Sequence, residues 1–202
     1  MKKILLSLLL AFTIFSASAE FRWGPTAGIN ISTLHWTQKL VTTKQAVGVN
    51  AGLMGEIMIP GIGFGVDFGL KYALHGAKVN FGEQNVWAVD GFGNENVNIH
   101  TLQIPLNLRF KWTRMNGAER IAAPFIYAGP VFTFNLATSK LDCIEHPEGS
   151  FGLQCGIGGE FFEHLQLSAG YLWGLSYDVR TVKLDNFSAR NQGWQVNLAW
   201  LF

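Results

Sequence analysis

Seven ionisable residues could do chemistry together: Arg22, Glu56, Asp67, Lys71, Arg109, Lys111 and Glu160. Each sits in a segment of alternating apolar and polar residues, on the polar phase. Brought into one interior, they could form an ion path or polarise a substrate. They could equally form a cross-linked plug, because buried charges must be paired and hydrogen-bonded. The five histidines, His35, His75, His100, His146 and His164, form no close pair at metal-ligand spacing, and parity puts His75 and His100 on opposite faces. The residues therefore suggest no metal site and no cofactor. Ser188 has no histidine beside it in sequence, and only spatial convergence with a rim group such as His75 would make a hydrolytic triad. The Gly-x-Gly run from Gly61 to Gly65 lacks a following helix, so its glycines read as strand glycines. No catalytic residue is assigned, and a non-enzyme is expected.

The elements that must position these residues are strands. Trp194, Val196, Leu198, Trp200 and Phe202 alternate with Gln195, Asn197, Ala199 and Leu201. Leu165, Leu167, Ala169, Tyr171, Trp173, Leu175 and Tyr177 oppose Gln166, Ser168, Gly170, Gly174 and Ser176. Leu102, Ile104, Leu106, Leu108, Phe110 and Trp112 oppose Thr101, Gln103, Asn107, Arg109 and Lys111. The same period of two runs through 21–34, 47–59, 62–75, 124–136 and 151–162. No amphipathic helix interrupts the series. The expectation is all-β: an eight-stranded antiparallel up-and-down transmembrane β-barrel with a plugged polar lumen. Eight strands leave an interior wide enough only for packed side chains, which favours the plug over an ion path.

Tight connections at Pro60-Gly61 and Glu163-His164 contrast with long polar ones at 35–46, 76–98, 137–150 and 178–192. Short periplasmic turns and long outer loops are the asymmetry of membrane barrels. The connection at 114–122 is the exception, being periplasmic yet not tight.

Composition chooses lipid over water. Charged residues are 14% of the chain, against roughly 25% in ordinary soluble domains. The polar face is mostly Gly, Ser, Thr, Asn and Gln, whereas a soluble barrel would place Lys, Glu and Asp there. The apolar face carries no charge, and Trp23, Trp112, Trp173, Trp200 and Phe202 fall near strand ends, where aromatic girdles sit. Lys2-Lys3, an apolar stretch to Phe15 and Ala17-Ser18-Ala19 read as a signal peptide spanning 1–19. The domain then spans 20–202, and losing Lys2 and Lys3 takes the formal charge from +1 to −1. Nucleic acid is excluded as a partner, since no basic excess exists to hold it. The expected location is the cell outer membrane, with outer-membrane lipid as the surrounding partner.

Cys143 and Cys155 are the only cysteines, and export would carry both to an oxidising compartment where a disulfide can form. Parity opposes the bridge, because Cys155 shares the lipid-facing register of Leu153 and Ile157. A late strand start or a bulge would be needed to turn it.

Ala27-Gly28-Ile29-Asn30-Ile31-Ser32, Leu102-Gln103-Ile104-Pro105-Leu106, Tyr127-Ala128-Gly129-Pro130 and Tyr171-Leu172-Trp173-Gly174-Leu175 together resemble the PorT-like outer-membrane β-barrel family across nearly all of the mature chain. Trp200-Leu201-Phe202 resembles the terminal signal read by the barrel-assembly machinery, with Trp where Tyr is more usual. The resemblance implies the barrel and its location. It leaves open a structural or surface-interaction role, an accessory role in a protein-secretion machine like that of the family's namesake, and a lipid- or peptide-modifying enzyme at the rim.

Overall fold

The alternation becomes ten strands in the computed structural model, which describes residues 20–36, 42–59, 61–80, 94–113, 117–138, 144–145, 147, 149–181 and 188–202. They are β1 (Glu20–Trp36), β2 (Thr42–Met58), β3 (Phe64–Asn80), β4 (Asn94–Lys111), β5 (Ala122–Thr138), β6 (Ile144–Glu145), β7 (Gly149–Phe161), β8 (Leu165–Gly174), β9 (Val179–Thr181) and β10 (Ser188–Trp200). The eight long strands pair antiparallel with their neighbours in chain order, and β10 closes onto β1 from Thr26↔Ala199 to Trp36↔Ala189. Closure leaves no edge, so the backbone polar groups are satisfied within the wall, as a bilayer requires. The two short strands extend one side of the wall: β9 adds to β10, and β6 adds to β9.

The orientation expected from parity holds across the membrane. Ile29, Leu53, Leu70, Leu106, Leu108, Ile126, Ile157 and Leu198 are exposed on the outside, and Leu108 is 71% accessible. Thr26, Asn30, Asn50, Gln103, Asn107, Gln154, Gln166 and Asn197 are buried inside. Aromatic clusters mark two levels. Phe64, Phe110 and Trp112 pack in tilted and T-shaped pairs near one rim, with centroids 4.8 and 5.7 Å apart. Tyr171, Trp173 and Trp194 pack near the other, at 4.7 and 5.1 Å.

The long loops are a correction. β1, β3 and β4 run 17, 17 and 18 residues, whereas about 9–11 suffice to cross a bilayer. Strand therefore occupies much of what the sequence reading gave to loops, including 42–46, 76–80, 94–98 and 188–192. Above the outer aromatic level the polarity inverts. Leu34, Trp36, Ala77, Val79, Val97, Ile99 and Ala189 point inward and are buried, while Lys44, Lys78 and Asn98 are exposed. Water surrounds this extension where lipid surrounds the part below, so the apolar phase moves to the only dry place left, the interior.

Periplasmic turns follow two designs. The one after β7 places Phe162 and Glu163 at φ 54° and 64°, a left-handed pair whose twist matches the flanking strands. The 112–121 connection carries a short 3-10 helix at Ala118–Arg120, and the Phe162 N–H donates to the Ile121 carbonyl, tying the two turns together.

Cys155 is a free, exposed thiol. It lies in regular ladder between Ala128 and Tyr171, so neither the late start nor the bulge that a bridge required is present. Cys143 lies outside the described residues, as do the leader at 1–19 and His146.

The chain end is built into the wall. Phe202 N–H donates to the Trp23 carbonyl at 2.9 Å, and their rings sit 6.0 Å apart. Trp200 stacks on His164, whose ring nitrogen meets the Leu201 carbonyl. Deleting Phe202 is expected to cause a several-fold fall in assembled barrel in cells, with processed, unfolded protein accumulating. Refolding of the purified variant into micelles separates the causes: near-normal refolding assigns the loss to recognition, and failure in both settings assigns it to the lost seam contact. Wild-type barrel levels in cells would show that the residue is dispensable.

Candidate functional site

Six of the seven expected lumenal charges converge at the periplasmic half of the interior. Glu56, fully buried on β2, is the centre. Its Oε1 accepts from Arg22 Nη2 and Lys111 Nζ, both at 2.6 Å, and its Oε2 accepts from Arg109 Nη1 at 2.5 Å and Gln166 Nε2 at 2.8 Å. Glu160 Oε2 accepts from Arg22, Lys111 and Gln166 at 2.6–2.7 Å. Asp67 Oδ2 accepts from Arg109 Nε at 2.8 Å, and Asn107 bridges Asp67 to Gln154. Three cations meet three carboxylates, so the network is formally neutral. The strands supply it by parity alone: 22, 56, 67, 109, 111, 160 and 166 are the inward positions at this level.

Close backbone approach makes room for it. Gly63, at φ 82°, receives the Lys111 N–H at 2.7 Å, and any Cβ there would strike the Lys111 carbonyl. Gly156, Gly158 and Gly170 form a floor on which Tyr127 and Phe125 lie, and a Cβ at these positions would meet those rings. Phe125 in turn carries the Arg109 guanidinium 4.1 Å over its face, a cation–π contact that desolvation strengthens.

Lys71 departs from the expectation. It makes none of the ion pairs and instead lines a cavity of about 30 Å³ with Thr26, Asp67, Tyr127, Ser168 and Asn197. Thr26 Oγ1 and Asn197 Oδ1 are buried there without a protein partner. A cavity of that size and polarity has room for about two water molecules, which would serve all three groups. Above it, Asn50 donates to Asn30, Ser32 bonds the Gly76 backbone, and His75 Nε2 lies 3.0 Å from Gln103 Nε2. The apolar layer of Leu34, Val79, Val97 and Ile99 follows. Among the described residues the interior is thus polar only in its lower part.

The other candidates are dispersed. His35 is exposed on β1, His75 is buried inside, His100 points outward with Nδ1 2.5 Å from the Tyr72 hydroxyl, and His164 serves a turn. Among the described residues no group of three His, Cys, Asp or Glu side chains could hold a metal. Ser188 on β10 and His75 on β3 are separated around the wall by β1 and β2. Sequence reasoning did not assign Gln166, Asn107, Phe125 and Tyr127 to the network. Parity identifies all four as inward, and their neutral side chains gave no further signal. Outside the membrane, burial pushes the Asp178 carboxyl above its usual range, while a hydrogen bond from Ser150 and the Asn191 N–H pull it back.

On the periplasmic side the network floors an open vestibule of about 530 Å³, bordered by Phe21, Met58, Glu163, His164 and Phe202. Above the vestibule, among the described residues, lie the ion pairs and then the buried apolar side chains of Leu34, Val79, Val97 and Ile99.

A family model described as the outer membrane protein beta-barrel domain matches residues 4–202. No curated protein gives a significant match. Among solved structures, the outer membrane protein OprG from Pseudomonas aeruginosa superposes with a TM-score of 0.56 at 13% identity, covering 91% of this chain and 95% of that one. Ail, the attachment invasion locus protein of Yersinia pestis, gives 0.46 at 14% identity over 91% and 99% of the two chains. Neisserial surface protein A gives 0.45 at 13% identity over the same shares.

Proposed function

The chain belongs to the outer membrane protein β-barrel domain family, and from that premise we propose that it is a non-conducting, non-enzymatic surface barrel acting through its extracellular extension. The supporting observation is the filled interior: an electroneutral ion network below and a dry apolar layer above. A barrel filled this way transmits no solute, so its remaining working surfaces are its two ends and its lipid face. The outer end is the larger, since paired strands rise well beyond the membrane and β6 and β9 heighten one side further.

Reconstitution into planar bilayers tests this. Steady open-channel steps are not expected from the full chain. Reproducible conductance at wild-type sequence would overturn the sealed-lumen reading.

The partners follow from the same reading: barrel-assembly machinery recognising the Trp200–Phe202 end, and a protein bound at the outer rim. The PorT-like motifs would make that protein a component of a secretion machine. Pull-down of the native chain from membranes separates the roles, with recovery of secretion components supporting the accessory role and a solitary barrel supporting the surface role.

A further inference from the structure

The charges within the eight long strands are segregated by face. The four carboxylates whose side chains are described there, Glu20, Glu56, Asp67 and Glu160, share the inward register; Glu20 is opposite inward-facing Met58. Among the described side chains of these strands, only three charged ones take the outward register: Lys44, Lys78 and Arg190, all basic. None lies in the lipid-facing band. All three stand above the outer aromatic level, on β2, β3 and β10, with exposed His35 of β1 opposite Arg190. Four adjacent strands thus present one basic sector at a single height.

Lys44 and Lys78 are direct cross-strand partners. Like charges directly opposite destabilise a ladder, and a strand pair chosen for stability alone would place an acid at one position. Both ammoniums are exposed, and the next residue across from Lys78 on β4 is the neutral Asn96. An anion seated between the two lysines would turn the repulsion into two charge-assisted contacts. Arg190 is held over the Tyr177 ring at 4.9 Å, with Nη2 3.5 Å from its hydroxyl, which orders a guanidinium suited to phosphate.

Below the lysines on β2 and β3 the outward residues turn apolar. Val47 and Val49 lie beneath Lys44, and Tyr72 and Leu70 beneath Lys78, all exposed. A molecule satisfying both levels carries phosphate on top and acyl chains below. We infer that Lys44, Lys78 and Arg190 form a docking site for the phosphorylated headgroup of an outer-leaflet glycolipid, with its acyl chains on the valine and leucine surface beneath. This goes beyond the sealed-barrel reading and does not depend on it, so a conducting barrel could still carry the site.

The full chain is purified from membranes and placed in phosphatidylcholine nanodiscs containing a small fraction of lipid A, and retained lipid A is counted by native mass spectrometry. Wild type is expected to retain it, and K44Q/K78Q to lose about tenfold or more, as removal of two charge-assisted contacts implies. R120Q, a largely exposed change in a periplasmic turn, should match wild type. Lipid A stripped of phosphate should not be retained. K78E adds a discriminating arm: it gives Lys44 a partner and should hold or raise thermal stability while abolishing retention. Retention by K44Q/K78Q or K78E at the wild-type level would overturn the site. Displacement of lipid A by millimolar inorganic phosphate would overturn the glycolipid as occupant, since acyl contacts would then add nothing.

Discussion

Replacing Glu56 with alanine is expected to cost about 3–5 kcal/mol, the range for breaking a buried ion pair from one side. The reason is the number of groups it serves. Arg22, Arg109 and Lys111 all pair with this one carboxylate, which is itself 0% accessible. Its removal leaves three cations around two remaining acids in an interior where water cannot replace it. Glu160→Ala should cost less, because Glu160 borders the open vestibule and solvent can take its place. Urea titration of the refolded protein in micelles, followed by heat-modifiable migration, measures both. A Glu56→Ala loss under about 1 kcal/mol, the value of solvent-exposed pairs, would mean that water already penetrates the network.

The second large effect concerns the opposite face. Leu106→Arg puts a guanidinium on the outside of β4, where Leu106 faces lipid across from Phe68. It should impair insertion by about 2–4 kcal/mol if the site lies near the midplane. Asn107→Arg, one residue along, points inward and fails differently. It displaces the Asn107 bridge between Asp67 and Gln154 and crowds Arg109. The two variants should therefore separate by stage, with Leu106→Arg poorly inserted and Asn107→Arg inserted but unstable. Wild-type heat-modifiable levels of Leu106→Arg would reverse the assignment of faces.

The wall was legible in the sequence because lipid is an unforgiving solvent: Trp194 to Phe202 could not alternate so strictly for any weaker reason. The network's charged members were legible for the same reason, since a charge in the lipid-crossing part of a strand has only one phase open to it. Their pairing was not. Nothing in the spacing of Arg22, Glu56 and Glu160 says that they meet, because the meeting depends on strand stagger. Lys71 shows the limit: it has the same parity as Arg109 but stands at a different height, lining a cavity with Asp67 without joining the ion pairs. The extension above the membrane was missed for another cause. Val97 and Ile99 occupy odd positions, and Leu102 and Ile104 even ones, so the apolar phase slips by one residue between them. A search for continuous alternation ends the strand at that slip. The slip marks the plane where the outside changes from hydrocarbon to water, while the strand runs on through it.

The seam between β1 and β10 has a consequence for time rather than for structure. Thr26 pairs with Ala199, 173 positions away in the chain, and the eleven consecutive pairs it opens have separations that fall only to 153 at Trp36↔Ala189. Contacts of such high order are gained only after the chain's entropy has been surrendered, so the seam should be the slow step in closing the cylinder. Once shut, it opens only by releasing many pairs together. Unfolding and refolding curves should then fail to coincide over ordinary waiting times. The folded barrel would owe its persistence to the height of a barrier as well as to the depth of a well.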